Sequence, residues 1–499
     1  MRAYLATSIG VACTAALVLP LSLPPGAAAS ATGAGSRAVV PGSTQSLPLA
    51  VRPTARTGGA VAERGLARRD VRDFSLLGVV WDDADEELHG TVQVRTRATG
   101  THAWSGWQLL ETHNQEHGAD PDTDERRAGT VHGSTAPLWV GDSDGVELRV
   151  RAVEEPGTEG SSPALLPRGL RLDLVDPGGG PAPATATPPA ATPATGEPST
   201  GEPSTGEPST GEPSTGEPST GEPSTGEPST GEPPAGTAQT PGAQVGGERG
   251  PDAVGAPMTL EEEASSAVNA DLAEPGATEI PELSKEETEA RLGEFAKPYI
   301  GPRPRIITRK GWGADERLRE RKFGYTQSVK AAFVHHSATG NNYTCAEAPS
   351  VLRGIYRYHV KSSGWRDFGY NFAIDKCGNI YEGRAGGVAK AVMGAHTLGF
   401  NTNSTGIVVL GTYSGTNPPA AATTAIARLT AWKLGLYGVD PAGKVTLTSG
   451  GSNKYKKGTK VKLNAISGHR DGFVTECPGR RLYGKLGATR TASAKYQGR

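Results

Sequence analysis

Six short runs between residues 70 and 175 alternate apolar and polar positions: FSLLGVVW (74–81), TVQVRTRA (91–98), WSGWQLLE (104–111), APLWVG (136–141), VELRVRAV (146–153) and LRLDLV (170–175). Turn-like clusters separate them. Short strands at this spacing predict an all-β, sandwich-like unit. Beyond residue 300 the pattern changes. KAAFVHHSA (330–338) and TGIVVLGTY (405–413) are continuous apolar runs, expected of buried strands. AEAPSVLRGIYRYHVK (346–361) sets Val351, Leu352, Ile355, Tyr358 and His359 at helical spacing. NFAIDKCGNIYEG (371–383) reads as a hairpin turning at Gly378-Asn379, and PAAATTAIARLTAWKLGLY (419–437) as a long helix opening on proline. Strands alternating with helices predict a mixed α/β sheet with helices packed on it.

The remaining length lacks this periodicity. Residues 30–69 are Ala/Gly/Ser/Thr/Arg-rich and read as disordered. Residues 176–257 are a Pro/Gly-rich linker with seven tandem GEPST copies at 196–230. Each copy adds one Glu, one Pro and nothing apolar, so it cannot bury a core and stays extended. Residues 258–302 form an acidic connector, 303–490 the α/β domain and 491–499 a tail. The linker is read as a reach device holding two folded units apart. At the N-terminus, Arg2, the apolar stretch 4–23 and the small-residue site ending near Ala29 read as a signal peptide over 1–29. The mature chain is therefore expected to be secreted, extracellular or in the cell wall, with no stable membrane insertion, and to be a monomer.

Composition narrows function by exclusion. With 68 glycines and 39 prolines among 499 residues, the chain is a mosaic rather than wholly low-complexity. A net charge of −2 gives no case for nucleic acid as a partner. Cys345, Cys377 and Cys477 remain after signal removal, an odd number suggesting one disulfide and one cysteine with another job. Trp81, Trp104, Trp107 and Trp139 are read as packing residues rather than a carbohydrate-stacking face. His89, His102, His113, His117 and His132 lie mostly in polar loops and are read as having no metal role. His335, at the end of a strand, and His469 and Cys477, eight residues apart, form a candidate zinc set. Two imidazoles and a thiolate leave a fourth position for water, as a catalytic zinc site requires. Spacing alone also fits ordinary structural histidines.

Several motifs then occur together in order: RPRIITRKGWGADE (303–316), FVHHSA (333–338), GWRDFGYNFAID (364–375), GNIYEGRAGG (378–387), GAHTLGFNTNSTGIVVLGTY (394–413) and SGHRDGFVTECPGR (467–480). Residues 303–483 thereby resemble the peptidoglycan recognition protein family, the zinc N-acetylmuramoyl-L-alanine amidases that include phage-type lysozyme amidases. The N-terminal half resembles the β-rich region of some secreted actinobacterial amidases. The resemblance implies zinc bound by His335, His469 and Cys477. It implies Tyr370 and Thr475 as catalytic donors beside the scissile carbonyl, Thr475 following the animal-type pattern. His396 and Arg384 fall in segments that line the peptide groove of relatives. No glutamate is placed by sequence as the general base. His336 and His359 are read as structural. Because the resemblance takes Cys477 as the metal thiolate, it also implies a Cys345–Cys377 disulfide. The implied activity is hydrolysis of the amide between N-acetylmuramic acid and L-alanine in peptidoglycan. The alternative is a non-catalytic peptidoglycan-binding protein. Stem-peptide preference does not carry over, because Ala385-Gly386-Gly387 follows the EGR segment.

Overall fold

The computed structural model describes residues 41–52, 63–112, 114–153, 165–180, 257–293 and 299–499. The signal segment, the GEPST array and His113 lie outside the described residues. The N-terminal unit is an all-β sheet. Its strands are β1 (Ser43–Pro48), β2 (Ala50–Val51), β3 (Glu63–Trp81), β4 (Gly90–Ala98), β5 (Gln108–Leu110), β6 (Gly133–Ser134), β7 (Leu138–Ala152) and β8 (Arg171–Asp176). They run in the order β1-β8-β3-β7-β4-β5, with β2 and β6 also paired to β3. Every pairing in this sheet is antiparallel.

Alternation puts Val92 and Val94, Val146, Leu148 and Val150, and Leu172 and Leu174 into one core. The register of β3 against β7 shifts between Leu66 and Arg69, between Asp70 and Phe74, and between Phe74 and Leu76. Such bulges bend a strand and let the sheet curl over its own core. Part of the stretch expected to be disordered is therefore strand: Ser43–Pro48 pairs with β8, and β3 begins at Glu63.

The second unit is a seven-stranded mixed sheet. It comprises β9 (Glu279–Ile280), β10 (Ile306–Ile307), β11 (Ala331–His336), β12 (Phe372–Ile374), β13 (Ile380–Glu382), β14 (Ser404–Val409) and β17 (Ile466–Gly468). The order is β17-β11-β14-β12-β13-β10-β9. A separate hairpin joins β15 (Lys444–Thr448) to β16 (Lys460–Asn464). Strand β11 lies parallel to both β14 and β17, while β12 and β13 form the expected antiparallel hairpin. Ala332, Val334, Ile407 and Val409 pack with Ala422, Ile426 and Leu429 of the helix Ala420–Gly435. Ala373 and Val408 point the other way, onto Val351, Leu352 and Ile355 of the helix Ala348–Arg357.

The region 258–302 is more than a connector. Thr259 and Glu262 close a capping box on the helix Leu260–Ala267. Ile280 of β9 is fully buried opposite Ile306. Ser265 and Asn269 bond to Glu316 and Glu382 of the α/β unit. An acidic sequence hides this because its apolar anchors are few.

The two units share a core. Leu76, Val80, Trp139 and Val175 of the first sheet pack against Val351, Ile355 and Tyr358 of the second unit. This explains why Phe74–Trp81 is buried throughout rather than on alternate positions. Both faces of that strand are covered. Gly78 permits the approach: a Cβ there would meet the Tyr358 hydroxyl at 2.2 Å. Tyr358 donates to the Thr135 carbonyl at 3.1 Å. The reading of two units held apart by a reach device is thus corrected. A shared dry core outweighs a sequence boundary. Pro177 and Gly179, at the start of the linker, and Thr259, just after it, line one cavity of about 450 Å³ between the units.

Trp81 and Trp139 are buried, as expected. Trp104 carries the Arg68 guanidinium at 4.4 Å, and Trp107 lies under Arg149 and Arg95 at 4.2 and 4.9 Å. Arginines, rather than an open stacking face, occupy these rings.

Cys345 and Cys377 form a disulfide, their Cα atoms 6.2 Å apart across 32 residues of sequence. Closing a chain of that length in the unfolded state stabilises by about 3–4 kcal/mol. Replacing both cysteines by alanine should lower the melting temperature by roughly 10 °C. A calorimetric scan unchanged within ~2 °C would contradict that contribution.

Candidate metal centre

Strand β11 runs parallel between β14 and β17, and its last residues reach the sheet's C-terminal edge. Alternation sends His335 toward the helix Ala348–Arg357 side and His336 the opposite way. His336 Nδ1 accepts the Tyr413 N–H at 3.2 Å, a structural bond. His469 begins the short helix His469–Gly472 directly after β17. Asp471 accepts the Gly468 N–H at 2.9 Å and the Tyr483 hydroxyl at 2.6 Å, fixing that corner. The following loop returns Cys477, whose Sγ lies 3.7 Å from His335 Nδ1.

The three expected ligands are therefore together and buried. A fourth residue joins them. His117, from the loop after β5, places Nε2 at 3.2 Å from His469 Nδ1. The ligand atoms of His117, His335, His469 and Cys477 all lie within 4.8 Å of one another. His117, expected to be a loop histidine without a metal role, thus lies among the candidate ligand atoms. Burial drives this: the loop folds back into the other unit, which its polar sequence does not signal.

The donor set suits zinc. Imidazole and thiolate are its preferred ligands, and bonds of about 2.0–2.3 Å set tetrahedral ligand atoms about 3.3–3.6 Å apart. The spacings of 3.2 and 3.7 Å match such edges. Electrostatics agree. Burial, reinforced by His336, holds His117 down at about 3. Burial and neighbouring imidazoles keep His335 and His469 well below the usual histidine range. All three rings stay neutral, with lone pairs available to a cation. Burial raises the Cys477 thiol, so its thiolate needs a positive partner.

Outer contacts orient the ligands. His335 Nε2 meets the Thr397 hydroxyl at 3.3 Å, and Thr397 in turn meets His396 Nδ1 at 3.0 Å. Partners of this kind fix the ring and tautomer of a metal-bound histidine. His396, expected along the peptide groove, is completely buried behind His335, at a ring distance of 5.3 Å.

Tyr370 and Thr475 line the same cavity of about 250 Å³ as His117 and Cys477. The Tyr370 ring lies 5.2 Å from that of His335. Burial raises its phenol well above the ordinary tyrosine range, so it remains a donor. Thr475 Oγ1 accepts the Cys477 N–H at 3.1 Å and donates to Glu116 Oε1 at 2.7 Å. Glu116 thus reaches this cavity from the N-terminal unit.

Arg384 sits away from the cluster, paired with Glu125 of the N-terminal unit through two bonds of 2.9 Å. Burial alone would push the Glu125 carboxyl up. Arg384 outweighs it and holds the group below the carboxylate range. The only hint of His117, Glu116 and Glu125 in the sequence is a histidine among five acidic residues within Glu116–Glu125.

Comparison with known proteins gives the following matches. The N-acetylmuramoyl-L-alanine amidase family model matches residues 325–480. A model described as Rv3811 N-terminal galactose-binding domain-like matches residues 30–195. Peptidoglycan-recognition protein SC2 of Drosophila melanogaster is 35% identical over 181 residues, 36% of this chain and 84% of that protein. Human N-acetylmuramoyl-L-alanine amidase is 30% identical over 198 residues, 39% of this chain and 29% of that protein. The solved structure of wild-type Drosophila PGRP-LB is 28% identical, covering 36% of this chain and 91% of that one, at a TM-score of 0.29. With the ordered motifs, the converging His335, His469 and Cys477 and these relatives in view, the chain belongs to the peptidoglycan recognition protein and N-acetylmuramoyl-L-alanine amidase family.

Proposed function

We propose that the chain is a zinc-dependent hydrolase that cuts the amide between N-acetylmuramic acid and L-alanine in bacterial peptidoglycan. One observation carries this reading. Two neutral imidazoles and a thiol from three separate segments converge beside Tyr370 and Thr475 at a cavity. His335, His469 and Cys477 would hold the ion. A bound zinc ion supplies Lewis acidity and a water acidic near neutral pH.

The chain's own residues do the rest. Tyr370, kept protonated, offers an O–H toward charge developing on the carbonyl oxygen. The Thr475 hydroxyl, held in place by the Cys477 N–H, donates to Glu116 in this conformation and becomes a second donor toward substrate once Glu116 leaves it. Thr397 and His396 hold His335 in one ring orientation.

Several further features complete the reading. Residues 1–29 direct secretion, which accords with the Cys345–Cys377 disulfide. Among the described residues no helix is long and apolar enough to cross a membrane. The domain limits are about 43–176 for the β unit and 258–499 for the amidase unit. Binding without hydrolysis is the competing reading, and the presence of Cys477 beside both histidines speaks for the enzyme.

Purified protein should release a free peptide beginning with L-alanine from a muramyl peptide, and a chelator should stop it. Mass spectrometry reads both products. Cleavage between sugars, or release that ignores the chelator, would sink the assignment.

A further inference from the structure

The segment Asn114–Glu125 belongs to the N-terminal sheet, yet its acidic side chains are satisfied by the amidase unit. Glu116 Oε1 accepts the Thr475 hydroxyl at 2.7 Å, and the Glu116 carbonyl accepts the Leu398 N–H at 2.9 Å. Asp120 Oδ1 accepts both the Gly399 N–H and Asn401 Nδ2 at 2.7 Å. Asp122 pairs with Lys457. Glu125 takes the Arg384 guanidinium in two bonds and the Arg366 N–H at 3.1 Å. Between these anchors His117 reaches the ligand cluster, 93% buried and with its other nitrogen unpartnered.

We propose that Asn114–Glu125 is an intramolecular occupant of the substrate groove, that His117 is a fourth ligand to the ion, and that the chain in this conformation is latent. The inference rests on the zinc amidase reading. Its physical basis is threefold. A zinc site closed by four protein ligands is structural, whereas a catalytic one leaves a position for water. The 3.2 Å between His117 Nε2 and His469 Nδ1 is the length of a tetrahedral edge in such a site. A stem peptide carrying carboxylates would need donors of the kind that Glu116, Asp120 and Glu125 already occupy. The space left, about 250 Å³, falls below the ~300–1,000 Å³ typical of small-molecule sites. Access for substrate therefore requires this segment to withdraw, through displacement of the N-terminal sheet or cleavage of the loop.

The test uses the full chain loaded with cobalt(II) in place of zinc. Three quantities are read: the visible absorption, the metal dissociation constant by chelator competition, and muramyl-tripeptide affinity by calorimetry. His117→Ala should shift the absorption as an oxygen donor replaces nitrogen. It should weaken metal binding by about 10–100-fold, the scale seen even for outer-shell losses. It should also bind the tripeptide about 10-fold more tightly and cleave it faster than wild type. A natively melting His117→Ala with unchanged absorption and metal affinity overturns the fourth-ligand assignment. If His117→Ala does not fold, the double variant Asp120→Asn/Glu125→Gln carries the test. It keeps every ligand, and wild-type tripeptide affinity in it overturns the occupancy. Wild-type protein that already cleaves as fast as His117→Ala supports the amidase and overturns latency. Shifted absorption with no cleavage by any variant sinks the amidase reading and leaves the fourth ligand standing.

Discussion

Cys477→Ser should purify as a folded protein with little zinc and with muramyl-peptide cleavage down at least ~10³-fold. Loss of one oxyanion donor alone costs about 10²–10³ in such enzymes, and here the source of both the nucleophile and the Lewis acid goes. The thiolate is the one formal negative charge among the expected ligands. Without it the dication rests on neutral nitrogens alone, those of His335, His469 and, in this conformation, His117, in a dry site where charge is costly to bury. The serine hydroxyl is nearly isosteric but stays protonated. The fold should tolerate the change, because Cys477 Sγ makes only long contacts, 3.7 Å to His335 Nδ1 and 3.9 Å to the His336 carbonyl. Metal content by mass spectrometry, with melting temperature as control, decides it. One zinc per chain with wild-type turnover would refute the ligand assignment.

Glu316→Gln should be the most damaging single change to stability away from the centre. Glu316 is 4% exposed and accepts Arg309 Nε at 2.7 Å, Arg319 Nε at 2.6 Å and Ser265 Oγ at 2.7 Å. Removing its charge leaves the buried Arg309 and Arg319 guanidiniums with backbone carbonyls and, among the described ion pairs, one carboxylate, Asp367 at 3.1 Å from Arg309. Breaking one side of a buried pair costs about 3–5 kcal/mol. For a domain of this size that is roughly 10 °C in melting temperature. The same variant should loosen the helix Leu260–Ala267, which Ser265 and the Glu261 carbonyl tie to this network. Thermal unfolding with hydrogen exchange reads both effects, and a melting curve within 2 °C of wild type would refute the argument.

The parts legible in the sequence were those governed by local rules. The apolar runs of β11 and β14, the hairpin of β12 and β13 and the helix Ala420–Gly435 follow from periodicity and turn chemistry. His335, His469 and Cys477 are legible as a candidate set through the ordered motifs that carry the family resemblance, and the structure brings the three together. What escaped depends on contacts between distant segments. His117 reads as a loop histidine until its neighbours across 352 residues are known. His396 falls in a groove-lining segment by resemblance, and only the packed fold shows Thr397 standing between it and His335 as a relay of hydrogen bonds. Ser43–Pro48 carries no strong apolar pattern because it adds to the sheet as an edge beside β8, where backbone bonds do most of the work.

The cavity that receives the chain before and after the linker bears on how this gene can change. Pro177, Gly179 and Thr259 line that cavity together with residues of the amidase unit. The free energy of closing a connection rises only with the logarithm of its length, about 0.6 kcal/mol for each doubling. Gaining or losing GEPST copies, as repetitive coding stretches do when a polymerase slips, is therefore nearly silent for folding. The array can lengthen or shorten between lineages while the metal cluster and the sheet docked over it keep their mutual register.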